Sequence, residues 1–254
     1  MSVDTFQALQ AAGRPVSPPA RAAASTLLLA GASGALGNEL LNRMAGAQRH
    51  ACLLVLAKEP IIDGLRGVES LQVPALPIAQ WPLCAADVAL VSFDPPRLYH
   101  DRERALWTPA PADLPELARW LKACGVKTIA VVQPHAQGRM PDALKRGLAS
   151  LDEHAVVALG FERVLLVRSA QKPAAQRLAN PAERLAAWML SIFRYMVPSS
   201  EQPVRASKVA EFVERALQSA PPGVHIAAPD VVWLATQGSL DEVVDTWLRV
   251  DPSA

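Results

Sequence analysis

The stretch STLLLAGASGALGNELLNRM, residues 25–44, decides the fold. An apolar run from Leu27 to Ala30 meets glycines at Gly31, Gly34 and Gly37, and Leu36, Leu40, Leu41 and Met44 follow at helical spacing. The pattern predicts a buried strand, a tight turn and an amphipathic helix. The first glycine permits the turn, the second bares the backbone to a ligand, and the third lets the helix pack closely. A helix start of this kind offers unpaired N–H donors and the positive end of the helix dipole, which suits a phosphate. Gly31, Ser33, Gly34, Leu36 and Gly37 are the candidate phosphate-binding residues of a dinucleotide site.

Outward from that turn, short apolar runs recur at Cys52 to Leu56, Val88 to Val91, Ile129 to Val132 and Val164 to Val167. Helical patterns lie between them. Asp113 to Cys124 carries Leu114, Leu117 and Leu121 on one face, with Pro115 in the first turn and Gly125 beyond the end. Residues 141–159 space Leu144, Leu148, Leu151, Ala155 and Leu159 as one helical stripe. Continuous rather than alternating apolar runs are what a parallel sheet covered on both faces requires. The fold class is therefore α/β, a doubly wound parallel sheet.

After Val167 the pattern turns helix-rich. Asn180-Pro-Ala-Glu183 is a capping box opening a helix to about Met196, Ser207 to Gln218 is a second helix, and His225 to Ala227 a short strand. Ser239-Leu-Asp-Glu242 is another capping box, starting a final helix to about Val250. The expected organisation is a flexible leader over 1–24 and a single domain over 25–254. Its smaller C-terminal portion, 170–254, is expected to cover the carboxyl edge of the sheet. The apolar segment Trp188 to Met196 reads either as a lid helix or as a partner- or dimer-binding helix.

Of the 254 residues 51% are hydrophobic, enough for a sizeable core, and the net charge of +1 supplies no field for nucleic acid. Cys52, Cys84 and Cys124 are widely spaced and odd in number, so they read as reduced, mostly buried structural residues of a cytoplasmic protein. No metal site and no membrane span is expected from the sequence, and monomer and homodimer are both open. Lys58, 21 residues past Gly37, stands near where an NAD site carries an acidic residue; a cation there favours the 2′-phosphate of NADP. Glu59 beside it could neutralise that charge.

The GxxGxxG turn, Lys58, residues 85–90 and the run Gly160-Phe161-Glu-Arg-Val-Leu-Leu-Val-Arg168 together resemble the atypical short-chain dehydrogenase/reductases, in particular the NmrA-like and Tat-interacting-protein-like branches. The resemblance spans about Thr26 to Ala228 and implies an NAD(P)-binding Rossmann fold. In catalytic members of such families a Tyr-x-x-x-Lys pair and a serine after the fifth strand carry out carbonyl reduction. Here the matching positions hold Lys145, Ala149 and Gln133. Tyr99 and Tyr195 are the two tyrosines, and neither has a lysine four residues later. The position of a family acid after the third strand holds Val73-Pro74-Ala75. After the fourth, Ser92-Phe93-Asp94-Pro95-Pro96 replaces a small, glycine-rich approach, and Phe93 could fill the space of the nicotinamide ribose.

Two readings stay open. One is a dinucleotide-binding protein without reductase activity, acting on a protein partner in a binding or regulatory role; its site could also be vestigial, with no cofactor. The other is an NADP-dependent reductase or isomerase acting on a small molecule with a noncanonical proton donor, His135 or Lys145. Arg168 could hold a carboxylate or phosphate, or pair with Asp152 or Glu153.

Overall fold

The computed structural model describes residues 25–61, 67–97, 101–135, 150–170 and 204–249. Seven strands run in chain order: β1 (Thr26–Ala30), β2 (Cys52–Ala57), β3 (Val68–Gln72), β4 (Val88–Ser92), β5 (Thr128–His135), β6 (Arg163–Ala170) and β7 (Gly223–Ala227). Seven α-helices accompany them among the described residues: α1 (Gly34–Ala47), α2 (Asp101–Ala105), α3 (Leu114–Ala123), α4 (Leu151–Ala158), α5 (Ala206–Ser219), α6 (Pro229–Gln237) and α7 (Leu240–Arg249). The sheet is parallel throughout, in the order β3-β2-β1-β4-β5-β6-β7.

The apolar runs serve both faces of this sheet. Leu27 and Leu29 point to one core, with Leu36, Leu40 and Met44 of α1 and Val209, Phe212 and Val213 of α5. Leu28 and Ala30 point to the other, with Leu117 and Leu121 of α3 and Val156 of α4. Burial on both sides removes any reason for alternation, so the runs are apolar at every position. Because α1 and α3 leave on opposite faces, the connections from β1 and β4 diverge and open a crevice at their carboxyl ends. That is the topological switch point of a doubly wound sheet, where such folds bind ligands.

The structure bears out the Rossmann-type α/β class and differs in several elements. Edge strand β3 reads Val-Glu-Ser-Leu-Gln and stays largely exposed, so it carries no apolar run to find. Helix α6 had no stripe to announce it, although Pro229 at its first position and Asp230 beside it form a helix-start signal. Of the helix expected over 141–159, residues 141–149 lie outside the described residues, and the described part is Leu151–Ala158. Ser150 is an N-cap in extended conformation (φ −131°) whose Oγ accepts from Glu153 N–H, and α4 begins after it. The buried face of α4 differs from the expected stripe: Leu151 is 88% exposed, while Glu153 and Val156 turn inward. Phe93 is buried in the α3-side core rather than facing the crevice. The described tail, 204–249, adds β7 to the sheet and lays α5, α6 and α7 on the α1 face. The helix expected over 180–196, with Trp188 to Met196, lies outside the described residues, as does the leader 1–24. No helix among the described residues is long and apolar enough to cross a membrane.

The inward turn of α4 has an electrostatic reason. Glu153 Oε2 accepts from Arg168 Nη2 at 2.7 Å, and both side chains are almost completely buried. Arg168 thus takes the second of its two sequence readings, pairing with Glu153. A buried guanidinium deprived of its carboxylate is costly, typically about 3–5 kcal/mol. Glu153→Ala is accordingly expected to lower stability by about 3–5 kcal/mol in urea unfolding, and a measured loss below about 1 kcal/mol would show that the pair is not a structural anchor.

Candidate functional site: a glycine turn bonded to its own carboxylates

The turn between β1 and α1 has the backbone its glycines imply. Gly34 sits at φ +71°, in the left-handed region that favours glycine. A Cβ on Gly37 would stand 2.2 Å from the Gly31 carbonyl oxygen, so only glycine lets α1 start this close to the turn. Ser33 is the N-cap residue, yet its side chain does not cap the helix. Its Oγ instead donates to the Asp94 carbonyl at 2.8 Å and meets Thr108 Oγ1 at 2.5 Å.

The donors at the helix start are taken by carboxylates from elsewhere in the chain. Gly34 N–H donates to Glu103 Oε2 at 3.1 Å, and Leu36 N–H donates to Asp94 Oδ2 at 2.9 Å. Two anionic groups thus lie where unpaired N–H donors and the helix dipole favour negative charge. The approach to Gly34 is filled as well: a Cβ there would lie 2.6 Å from Asp94 Cβ and 2.8 Å from the Pro95 carbonyl oxygen. Phe93, expected in the space of the nicotinamide ribose, turns into the core instead, and the residues that crowd Gly34 are the next two, Asp94 and Pro95.

Glu103 is only 6% exposed, and each of its oxygens has two partners. Oε2 accepts from Gly34 N–H and from Arg97 N–H at 2.8 Å. Oε1 accepts from Arg97 Nε at 2.7 Å and from Arg97 Nη2. Burial pushes this carboxyl's pKa up, but the Arg97 guanidinium and the N–H groups of Arg97 and Gly34 together hold it below its usual value.

The segment after α2 covers the carboxyl ends of β1 and β2. Leu106 forms an antiparallel bridge with Ala57 at the end of β2. Trp107 N–H donates to the Leu56 carbonyl at 2.9 Å, Lys58 N–H to the Ala105 carbonyl at 2.7 Å, and Gly31 N–H to the Trp107 carbonyl at 3.3 Å. Lys58 stands one residue past β2 with its side chain exposed, at the place the sequence assigned to it. Chain segments 94–97 and 103–108 therefore cover the glycine turn and the ends of β1 and β2. A cavity of about 170 Å³ lies at the opposite, amino edge, among Met44, His50, Val88, Thr128 and Leu217; it has no part in the glycine turn.

Of the residues singled out in the sequence, Gly31, Ser33, Gly34, Leu36 and Gly37 form one turn, with Lys58 on the neighbouring strand end. His135 ends β5, opposite Ala170 in register; its side chain, Lys145 and Ala149 lie outside the described residues. Gln133 is in β5, level with Arg168 of β6. No group of three or more His, Cys, Asp or Glu that could hold a metal occurs among the described residues. The residues that sequence reasoning missed are Glu103, Arg97 and Thr108. Asp94 was quoted, but not as a partner of the turn. Its one visible signal is an acid two residues past the fourth strand, at the level of the turn.

No family model and no curated protein matches the chain. Among solved structures it is similar to the Bordetella bronchiseptica enzyme WbmG in complex with NAD, at 13% identity over 87% of this chain and 81% of that one, with a TM-score of 0.47. It is similar to a UDP-glucuronic acid 4-epimerase variant from Bacillus cereus at 12% identity, 84% of each chain and a TM-score of 0.46. A nucleoside-diphosphate-sugar epimerase from Staphylococcus aureus follows at 14% identity, 76% of this chain, 67% of that one and a TM-score of 0.45. At such identities and scores the likeness carries no functional argument.

The Glu103 contacts make a pH prediction. A carboxyl whose folded pKa lies below its unfolded value adds stability that is fully present above the unfolded pKa and lost as pH falls through the folded one. Glu103→Gln, which cannot ionise, should lower stability by about 1–3 kcal/mol at pH 7. The gap to the unsubstituted protein should narrow below pH ~4. Urea midpoints of both proteins between pH 3 and 7 check this, and a gap independent of pH would contradict it.

Proposed function

We propose that this is a Rossmann-type protein with a binding or regulatory role rather than a reductase, and that its glycine turn is held closed by its own acidic side chains. The single observation behind this reading is the pairing of Gly34 and Leu36 N–H with the Glu103 and Asp94 carboxylates. Two further features support it. The Tyr-x-x-x-Lys pair that a short-chain reductase would need is missing from the sequence, and Asp94 and Pro95 fill the space in front of Gly34.

A dinucleotide would have to displace these groups before its pyrophosphate reached the turn. Charge-assisted hydrogen bonds contribute about 1.5–3 kcal/mol each. Giving up two of them weakens apparent affinity by a factor on the order of a hundred or more. Of the two nicotinamide dinucleotides, NADP(H) is the better candidate for an opened site, because the exposed Lys58 at the end of β2 suits a 2′-phosphate.

Thermal unfolding with about 1 mM NADPH or NADH tests the proposal. A ligand present at 100 times its Kd stabilises by about 2.7 kcal/mol, a Tm rise of roughly 5–10 °C for a domain of this size. The unsubstituted protein is expected to shift by less than about 2 °C. The double variant Asp94→Ala/Glu103→Ala, or the gentler Asp94→Asn/Glu103→Gln if the first does not fold, is expected to shift by about 5 °C or more with NADPH. Adding Lys58→Glu should move that preference toward NADH. A full shift in the unsubstituted protein would overturn the closed turn, and NADPH-dependent turnover of a carbonyl substrate would overturn the non-catalytic reading.

A further inference from the structure

The fold brings together two cysteines that lie 40 residues apart in the chain. Cys84 belongs to the irregular segment that enters β4, and Cys124 caps the C-terminus of α3. Cys84 Sγ donates to Cys124 Sγ at 3.7 Å, and Cys84 N–H points at the same sulfur at 3.5 Å. The Ala86 N–H to Cys124 carbonyl bond, at 3.3 Å, holds the segment against the helix end. We propose that Cys84 and Cys124 form a peroxide-reactive dithiol, with Cys124 as the sulfur that attacks the hydroperoxide and Cys84 as the one that resolves it into a disulfide.

The contacts assign the roles. Cys124 receives both hydrogen bonds, and donation from Cys84 to its sulfur lowers its thiol pKa despite burial, which favours the thiolate at this sulfur. Cys84, the donor, is driven the other way, first by that same hydrogen bond and then by burial. Cys52 serves as an internal reference: it lies in β2, and burial together with Glu69 raises its thiol. Cys124 is 7% exposed and Cys84 only half-buried, so the pair is within reach of an oxidant as small as a hydroperoxide.

In the first step the Cys124 thiolate forms an S–O bond to one peroxide oxygen as the O–O bond breaks, and the departing hydroxide takes a proton to become water. In the second, the Cys84 sulfur bonds to the Cys124 sulfur and the S–O bond breaks. The hydroxide so released accepts the Cys84 proton. Two thiols thereby give two electrons and two protons to one peroxide, yielding a disulfide and two waters. The sulfurs must close from 3.7 Å to about 2.05 Å. Residues 82–86 are in no helix or strand, so the Cys84 side can make that movement while α3 stays in place.

The full chain would be treated with hydrogen peroxide at pH 7, and its peptides mapped by mass spectrometry alongside thiol titration in denaturant. The expected product loses two thiols and about 2 Da, has Cys84 linked to Cys124, and keeps Cys52 free. Cys124 should react on the order of tenfold faster than Cys52. Closing a loop of this length should raise Tm by roughly 5 °C or more, reversibly on reduction. Cys84→Ser should stop at a sulfenic acid on residue 124 that dimedone traps, Cys124→Ser should abolish the fast reaction, and Cys52→Ser should leave it unchanged. The proposal is overturned if the folded protein keeps all three thiols, if Cys52 is oxidised first, or if Cys84→Ser yields no sulfenic acid on residue 124.

Discussion

The Glu103 carboxylate is the constraint on which the carboxyl edge of this sheet depends. It joins the first N–H of α1 to Arg97 and anchors the start of the segment that runs through Leu106 and Trp107 over the ends of β1 and β2. The head of a helix following a central strand leaves several N–H groups without intrahelical acceptors, and water or a bound anion usually supplies them. Here the chain does so itself, with Glu103 on the first helical residue and Asp94 on the third. The covering segment is short and has little secondary structure of its own, so these charge-assisted bonds and a few backbone pairs fix its place.

An intrachain acid and a diffusing phosphate compete for the same donors on unequal terms. The phosphate brings more charge, but it must give up translational freedom and be ordered on arrival. Asp94 and Glu103 are already delivered by the strand and helix that carry them, and the core beneath them is closed: Leu28, Ala30 and Val91 are essentially inaccessible to water. Glu103 is also compensated by Arg97, which offsets the cost of holding a carboxylate at 6% exposure. A ligand displacing Glu103 would leave that guanidinium to find another partner, so the closed turn is stabilised from two directions.

The strand–turn–helix unit and the parallel class were legible because each rests on local pattern. Leu27 to Ala30 is apolar throughout since both faces are covered, and three glycines mark the turn. Edge strand β3, with Glu69, Ser70 and Gln72 exposed, is open to solvent on both faces and has no apolar run to read. The stripe expected through Leu151, Ala155 and Leu159 does not hold in α4, because the N-cap bond at Ser150 sets the phase of that helix and periodicity does not register it. Where the site was misjudged, the missing information was long-range. Nothing near Glu103 in the sequence points to Gly34, 69 residues away, and nothing in the spacing of Cys84 and Cys124 suggests a pair. A carboxylate becomes a helix cap, and two thiols become neighbours, only after the sheet has set the distances.

The same contacts withhold Glu103 from proton transfer. Reduction of a carbonyl needs a proton donor beside the hydride, and in short-chain reductases a lysine four residues after the tyrosine lowers that phenol's pKa. Four residues after Tyr99 stands Glu103, and four after Tyr195 stands Ser199. Glu103 is committed through both oxygens to Arg97 and Gly34. To free it for proton transfer would be to release the turn, and to keep the turn closed is to withhold it. Holding the turn and offering a free carboxylate are, at Glu103, mutually exclusive.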